Sequence, residues 1–119
     1  MNATLAVIIP NYNKELYIEK CLESVFKQTL QPDQIIIVDD CSSDKSRDII
    51  HTLAVQHKRI NPIYLDENRG VSNARNIGAE YANTDYVTFL DSDDLYYNPD
   101  KLKNEMKFHF SLDLHQKLC

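Results

Sequence analysis

Four short apolar segments alternate with helical patterns along this chain, and polar residues follow each segment. The segments are LAVIIP at 5–10, IIIVDD at 35–40, NPIYLD at 61–66 and DYVTFLD at 85–91. Each is too short for a helix, and their β-branched residues predict strands that are buried on both faces. Strands that alternate with helices at about 30 residues per unit indicate right-handed βαβ crossovers. The predicted fold is therefore α/β, with a parallel sheet in a three-layer, Rossmann-like arrangement.

Helical periodicity fills the intervals between these segments. Apolar residues recur at i, i+3, i+4 and i+7 within 18–29, 49–57 and 71–81. A further helix is expected to begin at 98–100 and to run to about residue 107. The tail at 107–119 leaves that period and alternates at period two, so helix and strand both stay open for it. The length of 119 residues fits a single domain.

Composition excludes several classes of function. The net charge of −5 lacks the basic footprint of a nucleic-acid binder, so an anionic ligand would need a cation. No apolar stretch approaches the roughly 20 residues of a transmembrane helix, which predicts a cytoplasmic protein, at most peripheral to a membrane. With only Gly70 and Gly78, the chain cannot form a dinucleotide-binding G-x-G-x-x-G or a P-loop. Its three cysteines lack metal-ligand spacing.

Carboxylates follow three of the four predicted strands. In a parallel sheet, ligands bind outside the carboxyl ends of the strands, near the point where the strand order reverses. If the order is 3-2-1-4, the acids of Asp91–Asp94 face Pro10–Asn13, and Asp40 lies one strand away. Asp39 and Asp40 alternate in direction, so we expect at most one of them to face this crevice while the other caps the following helix.

Crowded acids favour a bound cation. Like charges destabilise one another unless a cation neutralises them, and Mg²⁺ or Mn²⁺ carrying phosphates suits carboxylate ligands. Asp91 and Asp93 are expected on the same side of an extended segment, where both can reach one ion or one ribose-phosphate. Acids at strand ends are also ordinary loop and cap residues. That interpretation is preferred for Asp44, Asp66, Glu67 and Asp100.

Four motifs in order give the chain a family resemblance. They are Pro10–Asn13, Val38–Asp44, Asn68–Gly78 and Phe89–Asp94, all within residues 4 to 103. Together they resemble a family 2 glycosyltransferase of the GT-A fold, over its N-terminal nucleotide-sugar-binding portion. The resemblance implies a nucleotide-sugar donor, most often a UDP-sugar, with Mg²⁺ or Mn²⁺ bridging its diphosphate.

The resemblance also implies roles for individual residues. The implied nucleotide-binding residues are Pro10, Asn11, Tyr12, Asp40, Arg75 and Asp91. The implied metal ligands are Asp93 and Asp94. These roles are chemically sensible, because Tyr12 can stack on a base and Asp40 can accept a hydrogen bond from the imide N–H of uracil. Arg75 lies near a helix N-terminus, where positive potential faces phosphate.

Such enzymes invert the anomeric centre, because an acceptor hydroxyl deprotonated by Asp or Glu displaces the diphosphate directly. No carboxylate here is a good candidate for that base, so we expect it downstream of Cys119. The acceptor, a glycan or a lipid-linked molecule in the full-length enzyme, is expected to bind there too. Residues 1–119 are therefore predicted to be one truncated, donor-binding domain. The alternative is a non-catalytic nucleotide-binding or interaction module.

Two other classes with acidic motifs fit less well. A haloacid dehalogenase-type phosphatase carries its D-x-D after the first strand and places Thr or Val where this chain has Leu95. A receiver domain needs its acid pair after the first strand and a Lys on a fifth strand. The acids of this chain follow its second and fourth strands, which disfavours both classes.

Overall fold

The structure of the protein is a computed structural model. It describes residues 3–107. Four strands and four helices follow one another in alternation. They are β1 (Leu5–Asn11), α1 (Ile18–Phe26), β2 (Gln34–Asp39), α2 (Ser46–Gln56), β3 (Ile60–Tyr64), α3 (Val71–Tyr81), β4 (Tyr86–Phe89) and α4 (101–107). The predicted α/β alternation is confirmed.

The sheet is parallel, and its strand order is β3-β2-β1-β4, as predicted. β2 pairs with β1 along its whole length, from Ala6 opposite Gln34 to Asn11 opposite Asp39. Consequently the polar residues that end the two central strands lie side by side at one edge of the sheet.

Pro10 limits the pairing of β1 with β4. The last bond of that ladder is donated by the Leu90 amide to the Ile8 carbonyl, over 3.0 Å. Pro10 has no N–H to donate to the next position on the β4 side. The chain after Leu90 is therefore released from the sheet at the point where its acidic residues begin.

Helices cover both faces of the sheet and form the three predicted layers. On one face, Val7 and Ile9 pack with buried residues of α1, α2 and α4. On the other, Ile8 and Val38 pack against α3. Burial is less even than predicted, because only β1 and β2 are enclosed on both faces. The edge strands β3 and β4 are half-exposed, since no further strand or helix of the described residues covers their outer sides.

The two glycines have different structural roles. Gly78 lies where α3 crosses the sheet, and an added Cβ would stand 2.4 Å from Ile8 Cγ2 and 3.2 Å from Val38 Cγ2. Gly70 precedes α3 with φ at +97°, a conformation that other residues rarely adopt. Gly78 is therefore needed for close packing of α3 on the sheet, and Gly70 for the entry into α3.

Residues 101–107 are helical, as predicted, and Leu102 and Met106 bury their side chains in the core. The predicted alternation after residue 107 lies outside the described residues. Within residues 3–107, no helix has both the length and the apolar character needed to cross a bilayer.

Candidate functional site

A pocket of about 330 Å³ opens at the carboxyl edge of the sheet, which is the edge where the carboxyl ends of the strands lie. It is bounded by the ends of β1, β2 and β4 and by the start of α3. Its walls are built from Pro10, Asn11, Tyr12, Lys14, Asp40, Asn68, Gly70, Val71, Ala74, Asp91, Ser92 and Asp93. The structure thus brings together six of the eight predicted site residues. Arg75 and Asp94 do not line the pocket, but both are joined to it through Asp91, as described below.

The acids after β4 form a tight turn rather than the extended segment predicted from the sequence. The Asp94 amide donates to the Asp91 carbonyl over 2.9 Å. This turn brings carboxylate oxygens of Asp91, Asp93 and Asp94 within 4.8 Å of one another. We call residues 91–94 the acid turn. Three hard oxygen donors at this spacing suit Mg²⁺ or Mn²⁺, so the residues present fit the implied metal.

Two cations of the chain itself partner the acid turn. Arg75 Nη2 on α3 donates to Asp91 Oδ1 over 2.8 Å, which ties α3 to the turn. Lys14 Nζ, from the loop after β1, lies 3.7 Å from Asp93 Oδ2. The Asp94 carboxylate has no such partner among the described residues. Asp94 is therefore the acid of the turn most available to a metal ion.

Asp40 lines the pocket and also shapes it. Its two carboxylate oxygens accept hydrogen bonds from the backbone amides of Arg69 (3.0 Å) and Gly70 (2.9 Å). These bonds fix the entry into α3 and hence the position of Arg75. Each oxygen keeps a lone pair for a second donor. Asp40 can therefore hold the backbone of Arg69 and Gly70 in place and still accept a hydrogen bond from a ligand.

Asp39 turns away from the pocket, as the alternation of side chains predicts. It is fully buried and accepts hydrogen bonds from Asn11 Nδ2 (2.9 Å) and from the Ser42 amide (2.9 Å). Arg47 Nε of α2 donates to it over 2.8 Å, and that bond raises the pKa of Arg47. Asp39 does not cap α2, which begins only at Ser46. Instead it locks the ends of β1 and β2 to α2.

The Asn11 side chain is buried at the back of the pocket. Its amide nitrogen is used by Asp39, whereas Oδ1 has no hydrogen-bond partner among the described residues. A buried acceptor without a partner is unusual in native proteins. Beside it, the ring of Tyr12 is 44% exposed at the rim. The pocket thus offers one unused acceptor and one open aromatic face.

Cys21 lies beneath the acid turn, and its thiol donates to the Asp91 carbonyl with Sγ 3.6 Å from the oxygen. Burial raises the pKa of this thiol to about 12, and the negative charges of Asp94, Asp93 and Asp91 add to that effect. The thiol therefore stays protonated at neutral pH and is a poor nucleophile.

Six of the twelve lining residues are not among the eight predicted site residues, namely Lys14, Asn68, Gly70, Val71, Ala74 and Ser92. One signal for Lys14 was present, because an anionic ligand needs a cation and Lys14 directly follows the Pro10–Asn13 motif. Val71 and Ala74 carry no chemical signal, since they are apolar residues on a helix pattern. Asn68 and Ser92 lie within two of the four motifs.

Comparison with known proteins identifies the family. The family model described as glycosyl transferase family 2 matches residues 6–111. An uncharacterised glycosyltransferase of Haemophilus influenzae is 41% identical over 104 residues, which are 87% of this chain and 41% of that protein. The chain thus spans about two-fifths of this curated relative.

Solved structures share the fold. S. aureus TarS in complex with UDP matches with a TM-score of 0.77 and 33% identity, over 88% of this chain and 31% of that one. The mannosyltransferase PcManGT from Pyrobaculum calidifontis, in complex with GDP-Man and Mn²⁺, matches with a TM-score of 0.82 and 27% identity. That match covers 90% of this chain and 32% of PcManGT. The family match and the shared fold together make this chain a member of glycosyltransferase family 2, with the GT-A fold of its structural neighbours.

Proposed function

We propose that the pocket at the carboxyl edge binds a nucleotide-sugar donor, with a UDP-sugar favoured, and that the acid turn binds Mg²⁺ or Mn²⁺ beside it. One observation carries the proposal. A single pocket joins an open aromatic ring, the unpartnered Asn11 Oδ1 and two carboxylates, Asp91 and Asp93, that cluster with Asp94 next to it. Neighbours of the same fold that hold UDP, or GDP-Man with Mn²⁺, support this assignment.

The β1–β2 side of the pocket suits the nucleoside. Tyr12 presents its ring at the rim, where a base can stack on it. Asp40 and Asn11 Oδ1 are acceptors, and the imide N–H of uracil and the ribose hydroxyls are donors that match them. Pro10 adds a rigid apolar wall between them. Acceptors in this position favour a base with an N–H on its recognised edge.

The acid turn and its cations suit the diphosphate. Asp93 and Asp94 are the proposed metal ligands, with Asp91 placed towards the ribose. A bound divalent cation would neutralise the charge that develops on the departing nucleoside diphosphate. Arg75 and Lys14 add two positive charges at the same edge, where each can partner a phosphate oxygen. The net acidity of the chain is thereby overcome locally.

In the proposed reaction, an acceptor oxygen forms a bond to the anomeric carbon while the bond from that carbon to the diphosphate breaks. The acceptor proton passes to a carboxylate base, and the configuration inverts. We propose that residues 1–119 are the donor-binding part of this enzyme, with the base downstream of Cys119. A glycan or lipid-linked acceptor would bind to that later part of the enzyme.

Calorimetric titration of UDP with and without MnCl₂ tests the proposal. We expect Mn²⁺ to tighten UDP binding at least about tenfold, because the metal joins the acid turn to the diphosphate. Asp94→Asn should remove most of that gain. Glu80→Gln is the matched control, since it deletes an exposed acid of α3 outside the pocket. If the folded wild-type chain binds UDP with the same affinity in the presence and absence of Mn²⁺, metal-dependent donor binding is contradicted.

A further inference from the structure

One face of α1 runs along the segment that carries the acids. Cys21 and Ser24 stand at i and i+3, so their side chains project on the same side of α1, and Gln28 follows two residues after the helix ends. Each contacts the segment 91–102. We call these three residues the α1 seam. It follows the acid-bearing segment from its first residue to the start of α4.

In Gln28, both polar atoms of the side-chain amide make hydrogen bonds. Its side chain is only 4% exposed. Nε2 donates to the Asn98 carbonyl over 2.8 Å, and Oε1 accepts from the Leu102 amide over 3.0 Å. The amide group thus bridges the end of the acid-bearing segment to the first turn of α4. A buried amide that bridges two backbone groups holds both at a fixed distance.

Ser24 makes a second bridge closer to the acids. Its hydroxyl donates to the Cys21 carbonyl over 2.6 Å and accepts from the Tyr96 amide over 3.1 Å. Tyr96 is two residues beyond Asp94. Together with the Cys21 contact to the Asp91 carbonyl, this bond ties to α1 the first residue of the acid turn and the chain just beyond its last residue.

The acid turn needs such support, because regular structure supplies none. Residues 91–97 contain one turn and no helix or strand, and the β1–β4 ladder ends at Leu90. We therefore propose that Ser24 and Gln28 are positioning residues that set the geometry of the acid turn for its metal ion and donor. This inference rests on the proposed function, since it concerns the same site. Neither residue lines the pocket.

Removing a residue that orients metal ligands typically weakens metal affinity about 10- to 100-fold. The test compares the wild-type chain with Gln28→Ala and with the control Gln34→Ala. Gln34 also accepts a backbone N–H, from Asn83 over 2.9 Å, but it lies at the start of β2, on the opposite edge of the sheet. Two measurements are made, UDP affinity with and without Mn²⁺ and amide hydrogen exchange in the metal-free chain.

For Gln28→Ala we expect exchange of the Asp94 amide to quicken at least about fivefold, and the Mn²⁺-dependent gain in UDP affinity to fall by a similar factor. UDP affinity without metal should fall by a smaller factor, because Asp91 is the one residue of the acid turn that is placed towards the ribose. Gln34→Ala should change neither quantity. Should Gln28→Ala fail to fold, Gln28→Met keeps most of the side-chain volume and loses both hydrogen bonds without burying a charge. The same direction of change is expected for it.

Faster exchange at Leu102 with unchanged exchange at Asp94 and an unchanged Mn²⁺ gain would overturn the proposal, because the seam would then anchor only α4. A wild-type chain that gains nothing from Mn²⁺ would instead overturn the proposed function. In that case exchange at Asp94 still decides whether the seam positions the acid turn. The two failures are therefore distinguishable.

Discussion

Arg75 and Asp91 form an ion pair in which Nη2 lies 2.8 Å from Oδ1, and this pair joins α3 to the acid turn. Both side chains are more than a third exposed, so water screens the attraction between them. Arg75 Nε is nevertheless buried and has no hydrogen-bond partner among the described residues. A guanidinium that is only partly satisfied by its carboxylate retains donors for a second anion.

Arg75→Met should therefore affect binding more than stability. We expect the free energy of unfolding to change by less than about 1 kcal/mol, because an exposed pair contributes little. UDP affinity should fall about tenfold if the guanidinium partners phosphate. Urea denaturation and calorimetry measure the two effects. Arg69→Met is the control, since within residues 3–107 the Arg69 side chain pairs with exposed Glu67 alone. Equal losses of affinity in both variants would argue against a specific role for Arg75.

Gly78→Ala tests the packing of α3 on the sheet. The new methyl group would stand 2.4 Å from Ile8 Cγ2, so the helix or the strand must shift. We expect a destabilisation of about 1–3 kcal/mol, the usual cost of overpacking a core. Asn76→Ala, on the exposed side of the same helix, should not destabilise the chain. Thermal unfolding measures both, and an unchanged stability of Gly78→Ala would show that α3 packs less closely than described.

Much of this architecture could be predicted from the sequence. Short β-branched runs separated by helical periods specify a parallel α/β sheet, and its carboxyl edge collects whatever follows each strand. For that reason the order of the residues along the chain is enough to assign Tyr12, Asp40 and Asp93 to one crevice. That assignment also needed the strand order 3-2-1-4, which the structure confirms.

Other features depend on contacts between distant parts of the chain. Periodicity predicted an extended course for Asp91–Asp94, but Pro10 ends the ladder there and the chain turns. The Asp40 carboxylate binds the amides of Arg69 and Gly70, nearly 30 residues away. Lys14 and Gln28 gain their partners only after β4 and α4 have packed. No local pattern in a single sequence encodes such pairings.

Asp39 should matter for folding rather than for ligand contact. Asp39→Ala removes the acceptor for Asn11, Ser42 and Arg47 at once. Because buried donors are left unsatisfied, we expect a loss of at least about 2 kcal/mol in the free energy of unfolding. Asp66→Ala, an exposed acid in the loop after β3, should stay within about 0.5 kcal/mol of the wild type. A comparable loss in both variants would remove the case for a structural network.

Because its thiol is buried, Cys21 should lower the free energy of unfolding at alkaline pH. Its pKa rises from 9.0 in the unfolded chain to about 12 in the folded one, so folding favours the protonated thiol. This contribution is complete below pH 9 and is lost as the pH rises towards 12. At pH 11, wild type should have lost about 2–3 kcal/mol more than Cys21→Ala, relative to pH 8. Urea denaturation at pH 8 and pH 11 checks this. Equal losses of stability in the wild type and in Cys21→Ala would show that burial does not raise the pKa of the thiol.

We propose above that a nucleotide occupies the pocket between β1, β2 and the acid turn. NMR can locate it, by following backbone amide shifts while UDP is added in the presence of diamagnetic Mg²⁺. We expect the largest shifts at Tyr12, Asp40, Gly70 and Ser92, with little change at 57–59, at the amino ends of the strands. Shifts centred on 57–59, or none anywhere in a folded chain at millimolar UDP, would contradict it.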